Sequence, residues 1–461
     1  MLAPFYFKKF DKEVLITNDT GRYYFLSPKD FADYINDRLD SKSEIYEDLK
    51  ERYFLYESSR ELFLEDIKPA IRDGKGYVFS STSLHIFVVT NFCNGDCIYC
   101  QAGSNVENGF KMMSQETARR AVDLAMQSPQ HHLTFEFQGG EPLSNFEIIK
   151  FIVEYSKSKK VDKVISYNIV TNLTLLTDEM LDFIKEHKIG ISTSLDGHEE
   201  VHNYNRPLAD MSKTHKKVTD AIRTLKAEGI PCGAIQTTTR KSLAKPSRII
   251  DEYLRQGMNS VFIRPLTPLG MAKKRWQEIG YSTREFLDFY RESLEYIIEK
   301  NKEGIHISEG HASIFLSKIL KGIGKNYMEL RSPCGATLGQ VAYYYDGNVY
   351  TCDEGRMLAE MGDETFKVAN VYENTYDDMI DSKVCKATCK YSILEGLPQC
   401  SDCVYLPYCG TCPVINYAFE KDLITRSANE NYRCEIYKGM LDIIFDLLRE
   451  DEEKEIMSKW V

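Results

Sequence analysis

Leu84-His85-Ile86-Phe87-Val88-Val89-Thr90 runs directly into Asn91-Phe92-Cys93-Asn94-Gly95-Asp96-Cys97-Ile98-Tyr99-Cys100. The first half is a short apolar run rich in β-branched and aromatic residues, which predicts a buried strand. The second half spaces three thiols by three and then two residues, and Asn94, Gly95 and Asp96 between them permit tight backbone turns. Three thiolates leave a tetrahedral zinc one ligand short. They can instead hold three irons of a [4Fe–4S] cube and leave the fourth iron open to an outside ligand. A metal loop at the end of a strand also lies where a parallel α/β fold places its active site.

The same strand signal recurs outward from this stretch. Strands are predicted at His132–Gln138, Val164–Val170, Gly190–Leu195, Cys232–Thr238 and Ser260–Arg264. Between them, Ser144–Tyr155 opens on a Ser-x-x-Glu capping box, and Ser212–Glu228 places Val218, Ile222 and Leu225 on one stripe before Gly229. Six strand-helix units predict a parallel α/β sheet with right-handed crossovers, either open or curled into a partial barrel. Cys232, inside a predicted strand, reads as an inert core thiol. Upstream, residues 1 to about 75 read as two short strands, Val14–Ile16 and Tyr23–Leu26, then a helix opened by Ser27-Pro28-Lys29-Asp30 and another near Ser43–Arg52. Downstream, Ser282–Lys300 opens on a second capping box and turns Phe286, Phe289, Tyr290, Leu294 and Ile297 to one face. A helix near Ile436–Arg449 and an acidic, solvated tail close the chain.

At 461 residues the chain has room for about three domains, and no low-complexity linker or internal repeat interrupts it. Its net charge of −11 argues against a nucleic-acid partner, since phosphate contacts need a basic face. No apolar run approaches the roughly 18 residues that span a bilayer, and the first residues lack the layout of a signal peptide. A cytoplasmic protein without a membrane partner is expected. In a reducing compartment thirteen cysteines read as metal ligands rather than disulfides, and nine of them fall between Cys334 and Cys434.

Further motifs sit at strand ends. Phe137-Gln138-Gly139-Gly140-Glu141-Pro142 follows the second strand; its glycines let a ligand approach the backbone and Glu141 can accept from an ammonium. Asn172, Ser194, Asp196 and Arg206 offer a carboxamide, a hydroxyl, a carboxylate and a guanidinium, suited to a ribose and a carboxylate. Taken singly, the double glycine is a tight turn, Asp-Gly is usually a turn, and Tyr99 can be plain packing. The second thiol array runs Cys334, Gly347 and Cys352, then Cys400, Cys403, Cys409, Cys412 and Cys434, with Cys385 and Cys389 between. Paired CxxC units are also a zinc signal, but seven ligands make an uneven zinc count. Asp353, directly after Cys352, reads either as a general base or as a turn cap.

Over almost its full length the chain resembles the SPASM-type radical S-adenosylmethionine peptide maturases, most of all the His-Xaa-Ser system B maturase family. The stretches that carry the resemblance include LITNDTGRYYFLSPKDF (15–31), TSLHIFVVTNFCNGDCIYCQ (82–101), FEFQGGEPLSNFE (135–147), TNLTLLTDEML (171–181), ISTSLDG (191–197), MLAEMGDETF (357–366) and EGLPQCSDC (395–403). The resemblance implies a small winged-helix-like α+β precursor-recognition domain (1–78), an open (β/α)6 barrel (79–270), a helical bridge (271–330), a SPASM domain (331–445) and a tail (446–461). It implies that Cys93, Cys97 and Cys100 hold a [4Fe–4S] cluster that chelates S-adenosylmethionine. Tyr99, Gly139, Gly140, Glu141, Pro142, Asn172, Ser194, Asp196 and Arg206 would contact that cofactor. Two auxiliary [4Fe–4S] clusters would sit on Cys400, Cys403, Cys409 and Cys434 and on Cys334, Cys352 and Cys412; Cys389 or Cys385 could complete the latter, or it could stay open. Cys409 and Cys412 stand two residues apart where the family pattern usually has three. Asp353 matches the acid that removes a proton in sulfatase-maturing relatives. The implied reaction is hydrogen abstraction by a 5′-deoxyadenosyl radical from a ribosomally made precursor peptide, giving an oxidised or cross-linked side chain, with electrons from a flavodoxin- or ferredoxin-type donor. Two readings stand beside it: formylglycine formation in a sulfatase, and a zinc-stapled peptide-binding scaffold without catalysis.

Overall fold

The structure, a computed structural model, describes residues 1–102, 109–159, 161–324, 330–425 and 431–461. Strand and helix alternate from Leu84 as the sequence predicts. Strands β4 (Leu84–Val88), β5 (His132–Gln138), β6 (Val164–Val170), β7 (Gly190–Ser194), β8 (Cys232–Thr237) and β9 (Ser260–Arg264) lie side by side in chain order, all parallel. The sheet extends at both ends. A two-residue strand β10 (Ser308–Glu309) adds to β9, while β11 (Gln340–Tyr343) pairs parallel with β4 and carries the antiparallel β12 (Asn348–Tyr350) and β13 (Lys367–Asn370). Since β10 and β13 form its two edges, the sheet is open, the partial barrel that the resemblance implies. The cysteine-rich region is therefore continuous with the barrel sheet, and His85 of β4 is tied to the Tyr343 hydroxyl of β11 at 2.9 Å.

Alternation decides what each face does. On β5, Leu133, Phe135 and Phe137 are fully buried among the apolar residues of the helices Gln115–Ala125 and Phe146–Ser158. Thr134, Glu136 and Gln138 turn to the barrel interior, and register places Ile86, Glu136, Asn168 and Gly190 in one row across four strands. Ile86 and Val88 face the same way and pack on Ala342, Tyr344 and Tyr350.

Several local expectations are corrected. The helix after β5 begins at Phe146 rather than Ser144, because Pro142–Asn145 is a 3-10 turn capped by the Glu141 side chain, and the Ser144 hydroxyl is spent on the Glu141 carbonyl. The helix expected from Ser212 starts at His215: the chain before it is held by the cysteine loop, Ala209 donating to Asn94 and Leu208 bridging Gly95. The helix Thr283–Lys302 has its capping box and buried stripe as predicted. The acidic face of the tail is solvated as expected, but its apolar side is not. It forms a helix, Asp451–Ser458, whose Ile456 and Met457, with Trp460 beyond, are buried, while Glu452 and Glu453 reach Lys302 at 2.9 and 3.0 Å. Cys232 is only half-buried.

The amino-terminal region holds one strand and one long helix more than expected: β1 (Tyr6–Lys9) completes an antiparallel sheet with β2 (Val14–Thr17) and β3 (Tyr23–Leu26), and Arg60–Gly74 follows the two predicted helices. Ser27 caps the first of those helices as read, and Ser43 caps the second. This sheet leans on the end of the chain: Thr17 donates to the Val404 carbonyl at 2.6 Å, Tyr408 to that of Gly21, and Tyr23 and Phe25 meet Phe445 edge-on. Among the described residues no helix is long and apolar enough to cross a membrane. Residues 325–329 of the expected bridge and 426–430 of the expected SPASM domain lie outside the described residues.

Candidate metal and cofactor centre

The loop Cys93–Cys100 leaves β4 and is held from four sides. Asp96 donates to the Pro207 carbonyl at 2.8 Å, Ile98 to that of Asn205 at 3.0 Å, and Met271 to that of Cys100 at 3.0 Å. From β6, Asn172 reaches the Asn94 carboxamide at 2.9 Å. Gly95 turns its open side to the thiols: a Cβ there would lie 3.5 Å from Cys93 Sγ and 3.8 Å from Cys97 Sγ, and its N–H already points at Cys93 Sγ. Burial raises the Cys93 and Cys97 thiols, the latter to about 12; the other thiols of the loop push further, and only Arg206 works against this at Cys97. Crowded thiols that resist ionisation alone become thiolates readily around iron, so this donor set fits an iron-sulfur cluster.

Gly139 and Gly140 serve the loop before they serve a ligand. A Cβ on Gly140 would fall 2.2 Å from the Phe92 carbonyl, and one on Gly139 2.6 Å from that of Thr90. Gly140 and Glu141 donate to those same carbonyls, so the β5 end is zipped to the start of the cysteine loop. Glu141 is buried and its carboxylate is taken, accepting from Leu143 N, the Thr171 hydroxyl and Asn172 N at 2.6–3.0 Å. It therefore acts as a clamp between β5 and β6. Pro142 is buried at the first position of the turn that Glu141 caps.

Asp196, 0% exposed, is the second hub. One oxygen accepts from the Tyr99 hydroxyl (2.6 Å) and the Asn205 amide (3.0 Å); the other accepts from Thr237 N and lies 3.1 Å from Arg206 Nε. Arg206 in turn lies over the Tyr99 ring and places Nη1 4.0 Å from Cys97 Sγ. Burial alone would lower its pKa, but Asp196, Tyr99 and Cys97 more than offset that, so the guanidinium stays charged. Asp196, Tyr99 and Arg206 thus form one bonded unit behind the loop. Asn172 is likewise engaged, with Asn94, Thr174 and Glu141. Ser194, at the end of β7, is half-buried.

The second thiol array divides into two sets. Cys400, Cys403, Cys409 and Cys434 line a single cavity with Tyr405, Tyr437 and Lys438. Burial raises the Cys400 thiol to about 11, with Cys434 and Cys403 adding to it. Cys334, Cys352 and Cys412 are buried together in an apolar cluster with Leu358, Phe366, Val414 and Ile415. Cys352 and Cys412 each precede a helix, and Cys352 Sγ accepts from Gly355 N, but burial outweighs that bond and raises all three thiols, Cys334 to about 11. Cys389 is half-buried one step away: Cys334 N donates to the Ser392 hydroxyl (2.8 Å), which donates to the Cys389 carbonyl. Cys385 packs instead into the main core. Among the described residues no three His, Cys, Asp or Glu side chains close on a single metal ion.

The family model of the Radical SAM superfamily matches residues 87–240, from β4 through β8 and the loop after it. The chain belongs to the radical SAM superfamily. It is 33% identical over 183 residues to the uncharacterized protein MJ0907 of Methanocaldococcus jannaschii, over 40% of this chain and 62% of that one. It thus spans less than two thirds of that relative. The cysteine-type anaerobic sulfatase-maturating enzyme of Clostridium perfringens is 24% identical over 377 residues, 79% of this chain and 97% of the relative. The radical SAM cyclopropyl synthase TigE of Paramaledivibacter caminithermalis is 22% identical over 449 residues, 93% of this chain and 86% of the relative. In fold the chain is similar to native anSMEcpe with bound AdoMet and Kp18Cys peptide, with a TM-score of 0.69 at 22% identity, covering 81% of this chain and 99% of that one.

Sequence reasoning missed several parts of this radical SAM centre. Gly270 carries a positive φ and no room for a side chain, because a Cβ would lie 2.7 Å from the Cys100 carbonyl. Asn205 and His202 support Asp196, His202 by accepting from its N–H. A Gly opening a helix and an Asn ending one carry no local signal of a distant partner. Asp353 is brought to the barrel interior beside Glu136, where Arg356 binds its Oδ1 through Nε and Nη2, the former at 3.1 Å.

Proposed function

We propose that this radical SAM chain modifies a ribosomally made precursor peptide. The observation that carries the reading is a three-thiol loop clamped at the strand ends of an open barrel whose sheet continues into a region bearing two further thiol sets. Cys93, Cys97 and Cys100 would hold the [4Fe–4S] cluster, and Gly139, Gly140, Ser194 and Arg206 would lie nearest the S-adenosylmethionine bound to it. That cofactor supplies a 5′-deoxyadenosyl radical, able to take a hydrogen atom from carbon. The chain's own part is to fix the loop through Glu141 and Asp196, to keep a cation beside Cys97, and to enclose the substrate residue in the barrel. Cys400, Cys403, Cys409 and Cys434 would hold one auxiliary cluster and Cys334, Cys352 and Cys412 another, with Cys389 better placed than Cys385 to complete it. Four thiols lining one cavity suit the four corners of a cube. The outer strands of the β1–β3 sheet offer edges to which an extended leader peptide could add. A flavodoxin- or ferredoxin-type donor and a cytoplasmic setting complete the reading.

Anaerobic incubation of reconstituted protein with reductant and S-adenosylmethionine should release 5′-deoxyadenosine, and Cys97→Ala should abolish it. A fully loaded wild type that releases none would refute the reading. The name of the Clostridium relative favours a second reading, formylglycine formation in a sulfatase. TigE, whose match reaches over 93% of the chain, is named for a different product, a cyclopropyl group, and so leaves the first reading open. Mass analysis of a sulfatase peptide and of peptides from any short reading frames beside the gene separates the two.

A further inference from the structure

Inside the barrel a carboxylate stands that the radical SAM centre does not use. Glu136 lies two residues before the β5 end, on the face opposite Phe135 and Phe137, and so faces the interior. Its two oxygens each accept one amide hydrogen bond, Oε1 from Gln138 Nε2 at 2.7 Å and Oε2 from Asn168 Nδ2 at 3.0 Å. Each oxygen keeps an acceptor site for a further donor. Among the described residues no cation lies within ion-pair distance of it. The elements against it add little charge: β4 brings Ile86 and Val88, β6 brings Asn168, and the helix Asp353–Glu360 brings Asp353, whose Oδ1 is engaged by Arg356. The two interior acids therefore differ. Asp353 is paired with a guanidinium yet still acts on Glu136 as a like charge, whereas Glu136 is oriented by neutral donors and has no ion-pair partner among the described residues.

We infer that Glu136 is the interior's proton acceptor, taking the heteroatom-bound proton of the substrate residue, with Gln138 and Asn168 aiming its carboxylate and Asp353 as its charged neighbour. The inference rests on the proposed peptide-modifying reading. Once a hydrogen atom has been lost from carbon, closing the radical to a C–X or C=X bond breaks one X–H bond and releases one proton and one electron. The proton goes to a Glu136 oxygen, and the electron goes to an acceptor of the iron-sulfur class, which the auxiliary thiol sets are suited to hold. An acceptor works best with a pKa near the working pH. Burial raises Glu136 above the usual carboxylate range, its two amide donors pull it back, and Asp353 pushes it up.

Infrared titration of the reconstituted full chain, without peptide, tests the ionisation. Protonated-carboxyl absorbance should persist above the ordinary Glu range, since Glu141, Glu309 and Glu360 are raised by burial too; Glu136→Gln should remove one carboxyl's share of it, and Asp353→Asn should move that share to lower pH as the like charge is removed. With a peptide that the wild type is shown to modify as probe, Glu136→Gln should lower modified peptide about 100-fold. It should also raise the 5′-deoxyadenosine spent per modified peptide by at least about tenfold, a partition that a merely structural residue would not change. Glu136→Asp should restore part of the product and shift the acid limb of the pH profile. A band unaltered by Glu136→Gln, or wild-type partition in that variant, would overturn the inference. If Glu136→Gln does not fold, the Asp353→Asn shift and the Glu136→Asp profile decide it alone. A wild type that makes no 5′-deoxyadenosine would instead remove the underlying reading.

Discussion

Asp196 accepts from Tyr99, Asn205 and Thr237 and lies against Arg206, all out of water, so its charge and that of Arg206 depend on each other. Replacing it by Asn keeps the shape and strands the guanidinium. Breaking a buried pair in this way costs about 3–5 kcal/mol, whereas Tyr99→Phe removes one hydrogen bond and should cost about 1 kcal/mol. Denaturant unfolding of the two variants should show that ranking. The sequence pointed to Asp196, Arg206 and Tyr99 singly, as cofactor contacts, because a bond between residues 97 positions apart leaves no local trace. The two glycines show a related limit: a Gly announces a close approach but not which backbone approaches. At Gly140 it is Phe92, so Gly140→Ala should push the cysteine loop off β5. Iron analysis should then show the loss of about one cluster, roughly four irons per chain, with the auxiliary absorbance retained.

Among elements, the six core strands were legible to within two residues, since β-branched and aromatic runs bounded by turn residues have few other stable uses in an α/β chain. The short strands β1 and β10 were not, because pairing with a neighbour rather than intrinsic pattern makes them strands. The β4–β11 junction could not be foreseen either, since a strand about 250 residues downstream carries no mark of its partner. That junction gives a pH prediction. His85 is buried between β4 and β11, and burial lowers its pKa from 6.5 to about 3. The unfolded chain thus binds a proton below pH 6.5 that the folded chain refuses until about pH 3. The contribution is fully present above pH 6.5 and is lost on acidification at about 1.4 kcal/mol per pH unit. Unfolding free energies measured between neutral and mildly acid pH should show a slope that His85→Phe reduces by that amount.

At the scale of the whole molecule, the amino-terminal sheet and the last thiol set share one packing unit. Thr17 is bonded to the Val404 carbonyl next to Cys403, and Tyr23 and Phe25 cover Phe445 on the helix Tyr432–Leu447 that also carries Cys434. Arg449 reaches back to Glu13 at 2.8 Å, and Leu15 of β2 belongs to the main core. Deleting residues 1–78 would therefore do more than remove a peptide-binding edge. It would expose Phe445 and Tyr408, each worth about 1.5–3 kcal/mol of burial, and loosen the helix bearing one cluster ligand. The truncated chain should lose iron from the Cys400, Cys403, Cys409 and Cys434 site and unfold at lower denaturant. Thr17→Val, by contrast, removes one hydrogen bond worth about 1 kcal/mol and should leave the iron count intact. If truncation preserved both iron and stability, the sheet would be an independent module, and loss of peptide modification on truncation could then be assigned to recognition alone.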